Sequence, residues 1–135
     1  MSPDVGKKRL SLIDDNLRYL RSLVEETGGE FNLQQRYAAE RMIMLLVEFA
    51  IDLLKHKLKD MRQIKTTSYR EALTEAADQD LITSELKQEL YELTRFRNNL
   101  VHQYDDIEYE EVTVNARECL TVFEKFIRQM KRIVE

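Results

Sequence analysis

Apolar residues recur at α-helical spacing in several long stretches of the chain, and glycine, capping or acidic residues separate these stretches. The first stretch covers roughly residues 7–27, where apolar positions follow one another at steps of three and four: Leu10, Ile13, Leu17, Leu20 and Val24. This spacing predicts a helix with one apolar stripe that faces a core. Gly28 and Gly29 form the only strong glycine break and are expected to end this helix.

A second helix is predicted from about Leu33 to Lys59, with Asn32 as its N-cap. On a helical wheel of about 100° per residue, four polar residues share one narrow stripe: Arg41, Glu48, Asp52 and Lys55. Most of the remaining circumference is apolar, so this helix must be buried on several sides. Four helices of one small protomer could bury it, but a subunit interface would do so more easily. This pattern favours a homodimer, an expectation that also depends in part on the family resemblance given below.

Capping signals predict the next two helices. Ser68 precedes Glu71 by three residues, the spacing of a capping box that opens a short third helix through about Gln79. Thr83 or Ser84 is expected to cap a fourth helix, which leads into residues 97–104.

The last helix is expected from roughly Tyr109 to Val134. No alternating strand pattern, repeat or low-complexity tract is visible in the sequence. The predicted fold class is therefore all-α: an up-and-down bundle of four main helices and one short helix, with residues 1–135 in a single domain.

Composition narrows the possible functions. The net charge of −4 argues against broad, sequence-independent nucleic-acid binding and makes DNA an unexpected partner, although RNA could still bind a locally basic cleft. The single cysteine, Cys119, excludes an internal disulfide, fits a reducing compartment and is expected in the core. The N-terminus has no apolar signal region, and no run approaches the ~18 apolar residues of a membrane span. A cytoplasmic protein without membrane contact is expected.

The segment richest in potentially functional side chains is residues 97–104, with the sequence Arg-Asn-Asn-Leu-Val-His-Gln-Tyr. These residues provide a fixed cation, amide dipoles, an acid/base that titrates near neutrality and a phenol, which together suit phosphate chemistry. On a continuous helix Arg97 and His102, five apart, would point roughly 140° away from each other, whereas Arg97 and Tyr104 would lie nearly in line. The opposite, polar side would carry His102 together with Arg95, Asn98 and Asn99.

Two arrangements could let Arg97 and His102 act on one phosphate. Either the helix loosens at Asn98 and Asn99, which are poor helix formers, or a second copy of the chain completes the site. A two-fold dimer would offer His102 twice, as the base for a 2′-hydroxyl attack on RNA and as the acid for the leaving oxygen. Arg97 would hold the non-bridging phosphate oxygens. No metal or cofactor is expected, because two histidines and one cysteine stand at unrelated spacing.

Structural roles compete with this hypothesis. An Arg-His pair near a helix end commonly serves capping or ion pairing; Asp105 and Asp106 are available to pair with Arg97, and a helix C-terminus favours a charged His102. Tyr104 on an apolar face is typical of a core tyrosine whose hydroxyl reaches water. Of the polar stripe on the second helix, Arg41 and Glu48 are candidates to border the motif.

The sequence resembles the HepT-like branch of the HEPN superfamily. The resemblance rests on Ser-Tyr-Arg-Glu-Ala-Leu at residues 68–73, the Leu81-Ile82 connector, and the motif at residues 97–104 with an acidic segment after it. The order and spacing of these features match across essentially the whole chain.

This resemblance implies a homodimeric helical bundle that acts as the ribonuclease toxin of a toxin–antitoxin pair. Arg97 and His102 would match the catalytic residues, in a cleft at the dimer interface, with Arg95, Asn98 and Asn99 in support. The partner would be a minimal nucleotidyltransferase antitoxin that silences the toxin by transferring AMP to the motif tyrosine, here Tyr104. The added phosphate would occupy the cation and block the cleft.

Two other functions compete with a metal-independent RNA endonuclease. The chain could be a non-catalytic helical subunit that docks a nucleotidyltransferase and contributes nucleotide contacts through Arg97 and His102. It could also be a plain structural dimerisation domain.

Overall fold

The computed structural model describes residues 3–134, which form five α-helices, one 3-10 turn and no strand. The elements are α1 (Pro3–Thr27), α2 (Leu33–Arg62), α3 (Tyr69–Asp78), α4 (Ser84–His102), the 3-10 turn (Tyr104–Asp106) and α5 (Tyr109–Val134). The predicted all-α class, with four long helices and a short one, is confirmed.

Helix α2 lies at the centre of the fold and packs against each of the other α-helices. Its buried apolar residues point in several directions around the helix: Ala39, Ile43, Leu46, Val47, Ala50, Ile51, Leu53, Leu54 and Leu58. A single protomer therefore already covers much of α2, and its apolar circumference does not by itself require a second copy. The homodimer stays a prediction that must rest on other grounds.

Local capping signals determine where the helices begin. The Asn32 Oδ1 accepts from the Gln35 backbone N–H at 2.9 Å, and the Gln35 side chain accepts from the Asn32 N–H at 2.9 Å, which completes a capping box. Thr83 caps α4, because its Oγ1 accepts from the Leu86 N–H at 3.1 Å. Ser84 is instead the first residue of that helix.

The predicted capping box at Ser68 forms only in part. The Ser68 Oγ accepts from the Glu71 backbone N–H at 3.0 Å, so Ser68 is the N-cap of α3. The Glu71 carboxylate does not reach back to the Ser68 N–H; it accepts from the Thr67 hydroxyl at 3.2 Å. The prediction was right about the start of the helix and wrong about the reciprocal bond.

Two helix boundaries differ from the predicted ones. Helix α1 begins at Pro3 rather than near residue 7, since proline at the first helical position has no N–H that needs a partner. Helix α2 continues to Arg62 and ends where Gln63 adopts a left-handed conformation with φ 55°. Neither extension carries a strong apolar signal.

The turn between α1 and α2 is fastened to α5. Gly28 and Gly29 have φ values of 65° and 87°, a region that favours glycine. The Gly28 carbonyl accepts from the Arg117 guanidinium, and the Gly29 carbonyl accepts from the Thr113 hydroxyl, both at 2.8 Å. These bonds hold the first turn of the bundle against the last helix.

Replacing Gly29 by alanine should destabilise the fold more than the same change at Gly28. A left-handed φ costs alanine roughly 1 kcal/mol at either position. At Gly29 the new Cβ would also lie 2.6 Å from the Arg117 guanidinium and 2.9 Å from the Thr113 methyl, while at Gly28 it would meet nothing within 4 Å. We expect Gly29→Ala to lower the free energy of unfolding by about 2–3 kcal/mol and Gly28→Ala by about 1 kcal/mol in urea denaturation. Equal losses would contradict the packing of this turn on α5.

Candidate functional site

The motif is carried by the end of α4 and by the 3-10 turn after it. Helix α4 is α-helical through His102, and the backbone leaves the helix at Gln103, with φ −135° and ψ 41°. The helix therefore does not loosen at Asn98 and Asn99, and the arrangement based on such loosening is wrong. Tyr104 lies in the 3-10 turn and not in α4. It is therefore not on the same helix face as Arg97, as the helical wheel predicted it would be.

Arg97 is held by three side chains. Its Nη2 lies 3.6 Å from the Glu48 Oε2, its Nη1 donates to the Asn98 Oδ1 at 3.2 Å, and its guanidinium carbon lies 5.4 Å from the centre of the Tyr69 ring. The Arg97 Nε is buried and has no acceptor in the described part of the chain.

Glu48 therefore borders the motif, as expected for one of the two candidates from the polar stripe on α2. Arg41, the other candidate, is exposed and makes no side-chain hydrogen bond or ion pair within residues 3–134. The expected alternative in which Asp105 or Asp106 pairs with Arg97 is wrong, because both are exposed and Arg97 pairs with Glu48 instead.

His102 ends α4 with an exposed side chain that makes no hydrogen bond or ion pair within the described residues. Because α4 is continuous, His102 points about 140° away from Arg97, which stands five positions earlier. One protomer therefore does not bring the two side chains together. The imidazole is free to meet a substrate or another protein surface.

A groove of about 430 Å³ lies between α3 and α4 beside Arg97. Its lining includes three arginines and two tyrosines: Arg70, Arg95, Arg97, Tyr69 and Tyr91. The Arg70 guanidinium lies 5.7 Å from the centre of the Tyr91 ring. None of the described residues that line the groove is acidic, so its lining is basic although the chain as a whole is negative. Glu48 and Glu92, which pair with Arg97 and Arg95, lie outside this lining.

Sequence reasoning missed Arg70, Tyr69 and Tyr91 as members of this groove. Tyr69 and Arg70 follow the Ser68 cap, and in the sequence they indicate only a helix start and a family resemblance. Two pairs of neighbours could have indicated the groove: Tyr69 next to Arg70 on α3, and Tyr91 four positions before Arg95 on α4. Four residues make one turn of a helix, so this spacing puts an aromatic ring and a cation on one face.

The three predicted supporting residues are placed differently. Arg95 is exposed, pairs with Glu92 at 3.5 Å and lines the groove, and Asn98 lines it as well. Asn99 is also exposed, but only its backbone takes part in a bond: its carbonyl accepts from the Gln103 N–H at 2.8 Å. Two of the three therefore share the groove with Arg97.

Tyr104 forms a second cluster with α2. Its hydroxyl donates to the Glu40 carboxylate, at 2.9 Å from Oε1 and 3.0 Å from Oε2. Glu40 is only 7% exposed, and its Oε2 also accepts from the Arg36 Nε at 2.8 Å. The Arg36 guanidinium lies over two rings, 5.7 Å from the centre of Tyr104 and 5.0 Å from that of Tyr109. Tyr104 is thus half-buried, and its hydroxyl is hydrogen-bonded to a carboxylate.

The cluster shifts the titration of its members. Burial raises the pKa of Tyr104, and the hydrogen bond to the Glu40 carboxylate raises it further, so the phenol is held in its protonated form. The hydrogen bond to Glu40 likewise raises the pKa of Arg36. Glu40 was not predicted as a site residue. The one signal for it was its position four residues after Arg36, the spacing of a helical ion pair.

Other expectations concern residues outside the groove beside Arg97 and outside the cluster around Tyr104. Cys119 is fully buried, as expected of a core residue, and burial raises the pKa of its thiol. Residues 3–134 contain no cluster of three or more His, Cys, Asp or Glu side chains that could hold a metal ion. Within the same residues, none of the helices combines the length and the apolar character needed to cross a membrane.

Removing the Tyr104 hydroxyl should destabilise the protein in a pH-dependent manner. Tyr104→Phe leaves the buried Glu40 carboxylate with one donor fewer, which should lower the free energy of unfolding by about 1–2 kcal/mol near neutral pH. Because the pKa of Tyr104 is raised in the folded state, this contribution is complete below about pH 10, the unfolded value, and is lost as the pH rises through the folded value.

Urea denaturation at neutral pH and above about pH 10 would measure this difference. Tyr19→Phe is the matched control, because Tyr19 is 71% exposed and its loss of a hydroxyl should change little. If the difference in free energy of unfolding between wild type and Tyr104→Phe increased as the pH rose, the hydrogen bond between Tyr104 and Glu40 would be refuted.

Comparison with known proteins finds a similar curated protein. The chain is 27% identical over 132 residues to the tRNA nuclease HepT of Aphanizomenon flos-aquae (strain 2012/KM1/D3), an alignment that covers 96% of this chain and 90% of that protein.

Solved structures share the fold. The tri-AMPylated HEPN toxin of Shewanella oneidensis in complex with its MNT antitoxin matches with a TM-score of 0.87 at 21% identity, over 98% of this chain and 99% of that one. A toxin–antitoxin complex with AMP-PNP matches with a TM-score of 0.83 at 21% identity, over 97% and 98% of the two chains. YutE of Bacillus subtilis, a cytosolic protein of unknown function, matches with a TM-score of 0.72 at 20% identity, over 93% and 90%.

The family described as ribonuclease HepT-like matches residues 13–130, a range that contains α2, the groove and the whole motif. The resemblance seen in the sequence is confirmed, and the chain belongs to the HepT-like family of the HEPN proteins.

Proposed function

We propose that this protein is the ribonuclease toxin of a toxin–antitoxin pair, and that a homodimer cuts RNA without a metal ion through Arg97 and His102. A nucleotidyltransferase antitoxin silences it by transferring AMP to Tyr104. The observation that carries the proposal is the position of Arg97, which lies in a basic, tyrosine-lined groove within a chain that matches the HepT-like ribonucleases from residue 13 to residue 130.

The relatives support the substrate and the partner. The similar Aphanizomenon protein is a tRNA nuclease, which makes RNA, and tRNA in particular, the substrate class to test first. The similar Shewanella toxin is AMPylated and was solved with its MNT antitoxin, which favours a nucleotidyltransferase partner for this chain.

The groove gives RNA a path to Arg97. The guanidinium groups of Arg70, Arg95 and Arg97 would bind successive phosphates, and unpaired bases would stack on Tyr69 and Tyr91. Such binding by a few local cations agrees with a chain whose net charge is −4, because RNA then meets the basic groove and not the average surface.

The chemistry needs a base for the 2′-hydroxyl proton and an acid for the departing 5′-oxygen. His102 is exposed and makes no hydrogen bond or ion pair in the described structure, so its imidazole is available for proton transfer to or from a substrate. One protomer supplies one motif imidazole, and α4 directs this imidazole away from Arg97 of the same protomer. A two-fold dimer would supply two imidazoles and would let His102 of one protomer approach Arg97 of its partner. Arg97 would stabilise the charge that grows on the non-bridging oxygens.

Purified protein should cut RNA in the presence of EDTA, and both motif residues should be required. We expect His102→Ala to lower the cleavage rate by at least about 100-fold, the usual contribution of a general acid or base. Arg97→Lys should also lose most activity, because lysine lacks the planar fork that binds two phosphate oxygens. His56→Ala is the matched control, since the other histidine lies on α2 near Asp52. RNA that stays intact, or cutting that survives His102→Ala, would support the non-catalytic alternative instead.

A mixed dimer tests whether two copies share one site. We expect a heterodimer of wild-type and His102→Ala protomers, isolated with two different affinity tags, to retain less than about a tenth of the wild-type cleavage rate, since one imidazole cannot fill both proton-transfer roles. A heterodimer of wild-type and His56→Ala protomers should be fully active. Half of the wild-type rate, or an active monomer in light scattering, would contradict the shared site.

A further inference from the structure

We propose that Glu40 is the general base for AMP transfer to Tyr104, and that Arg36 positions the Glu40 carboxylate for this role. The inference rests on the proposed function of Tyr104 as the acceptor of AMP. It adds a catalytic residue that the toxin itself supplies. This residue lies on α2, far from the motif in the sequence.

The geometry assigns the proton of the Tyr104 hydroxyl to Glu40. Both carboxylate oxygens lie within hydrogen-bond distance of the phenol oxygen, at 2.9 and 3.0 Å. Oε2 also accepts from the Arg36 Nε at 2.8 Å, whereas Oε1 accepts from Tyr104 alone among the described residues. Oε1 is therefore the oxygen that takes the proton, and Oε2 is the oxygen that Arg36 holds in place.

Tyr104 needs such a base because a neutral phenol is a weak nucleophile. Its pKa is raised, mainly by burial, so spontaneous ionisation supplies even less phenolate than in an exposed tyrosine. The other ionisable groups that act on this pair are Arg36 and Tyr37 on α2 and Tyr109 on α5, and none of them is a better proton acceptor at neutral pH.

The reaction balances with a nucleoside triphosphate, here ATP, as the second reactant. The Tyr104 phenol oxygen attacks the α-phosphorus, and its proton passes to the Glu40 Oε1. A new oxygen–phosphorus bond forms while the bond between the α-phosphorus and the bridging oxygen breaks. Pyrophosphate leaves with that electron pair, and Glu40 then loses its proton to water.

Arg36 acts through Glu40 and is a positioning residue. The side chains of Arg36 and Glu40 are only 15% and 10% exposed, so their ion pair is shielded from water and fixes the carboxylate rotamer. The Arg36 guanidinium also lies over the rings of Tyr104 and Tyr109. The acceptor oxygen, the base and the cation that orients the base are thus joined by hydrogen bonds.

The test measures the rate of AMP transfer to full-length protein by an MNT-type nucleotidyltransferase, with ATP, by mass spectrometry of the Tyr104 peptide. We expect Glu40→Gln to lower the turnover rate at least about 100-fold near neutral pH while the KM for the toxin changes little. The residual rate of Glu40→Gln should rise about tenfold per pH unit between about pH 7 and about pH 9, as the phenolate fraction does. The wild-type rate should rise far less steeply.

Three further variants complete the design. Glu40→Asp keeps a carboxylate and should give an intermediate rate with the shallow wild-type pH profile, which decides the matter if Glu40→Gln does not fold. Glu110→Gln, at an exposed position whose side chain makes no hydrogen bond or ion pair in the described structure, should behave as wild type. Tyr104→Phe should accept no AMP.

The outcomes separate this inference from the proposed function. If wild-type protein accepts no AMP at Tyr104, the proposed regulation fails and the inference fails with it. If wild-type protein is modified and Glu40→Gln matches its rate and pH profile, only the inference fails. Glu40→Gln could instead react more slowly but with the same pH dependence of the rate as wild type, or the rate of Glu40→Asp could rise steeply with pH. Either result would give Glu40 a structural role and would also overturn the inference.

Discussion

Two carboxylates on the central helix organise the motif end of this bundle. Glu40 is 7% exposed, and the Glu48 side chain is 34% exposed in a partly shielded position. Removing a carboxylate from water costs several kcal/mol unless donors or cations replace its hydration. Tyr104 and Arg97 meet this requirement, Tyr104 by donating to Glu40 and Arg97 by pairing with Glu48. Two residues of the motif segment are therefore also the partners of α2 carboxylates, of which Glu40 is buried and Glu48 is partly exposed.

This requirement explains how the chain turns after α4. If α4 continued, Tyr104 would stand seven positions after Arg97 and on nearly the same side of the helix, about two turns away. The backbone instead leaves the helix at Gln103, and a 3-10 turn closed by the Ile107 N–H and the Tyr104 carbonyl, at 3.1 Å, places the phenol against Glu40. The same departure leaves His102 at the exposed end of the helix. The position of the histidine and that of the tyrosine thus have one common cause.

The sequence predicted the parts of the structure that depend on near neighbours. Asn32, Ser68 and Thr83 cap helices because each side chain reaches a backbone N–H three residues later, and the break at Gly28 follows from φ preferences. The contact between Tyr104 and Glu40 spans 64 positions, so no local pattern encodes it. The basic groove depends on how α3 packs against α4, which the spacing along either helix does not specify. Glu48 was a candidate only because a polar stripe on a buried helix must find partners.

The two guanidinium groups near the motif differ in how readily they can leave their carboxylates. Arg36 and Glu40 lie 2.8 Å apart with side chains 15% and 10% exposed, whereas Arg97 and Glu48 lie 3.6 Å apart with side chains 20% and 34% exposed. Breaking a buried ion pair costs about 3–5 kcal/mol, while a long, partly solvated pair contributes at most about 1 kcal/mol. An RNA phosphate could therefore displace Glu48 from Arg97 at little cost, and the Arg97 Nε, which lacks an acceptor, would gain one. Arg36 has no such freedom, which suits a residue that holds Glu40 beside Tyr104. Under the proposed function, Arg97 is the residue that can exchange its carboxylate partner for an RNA phosphate.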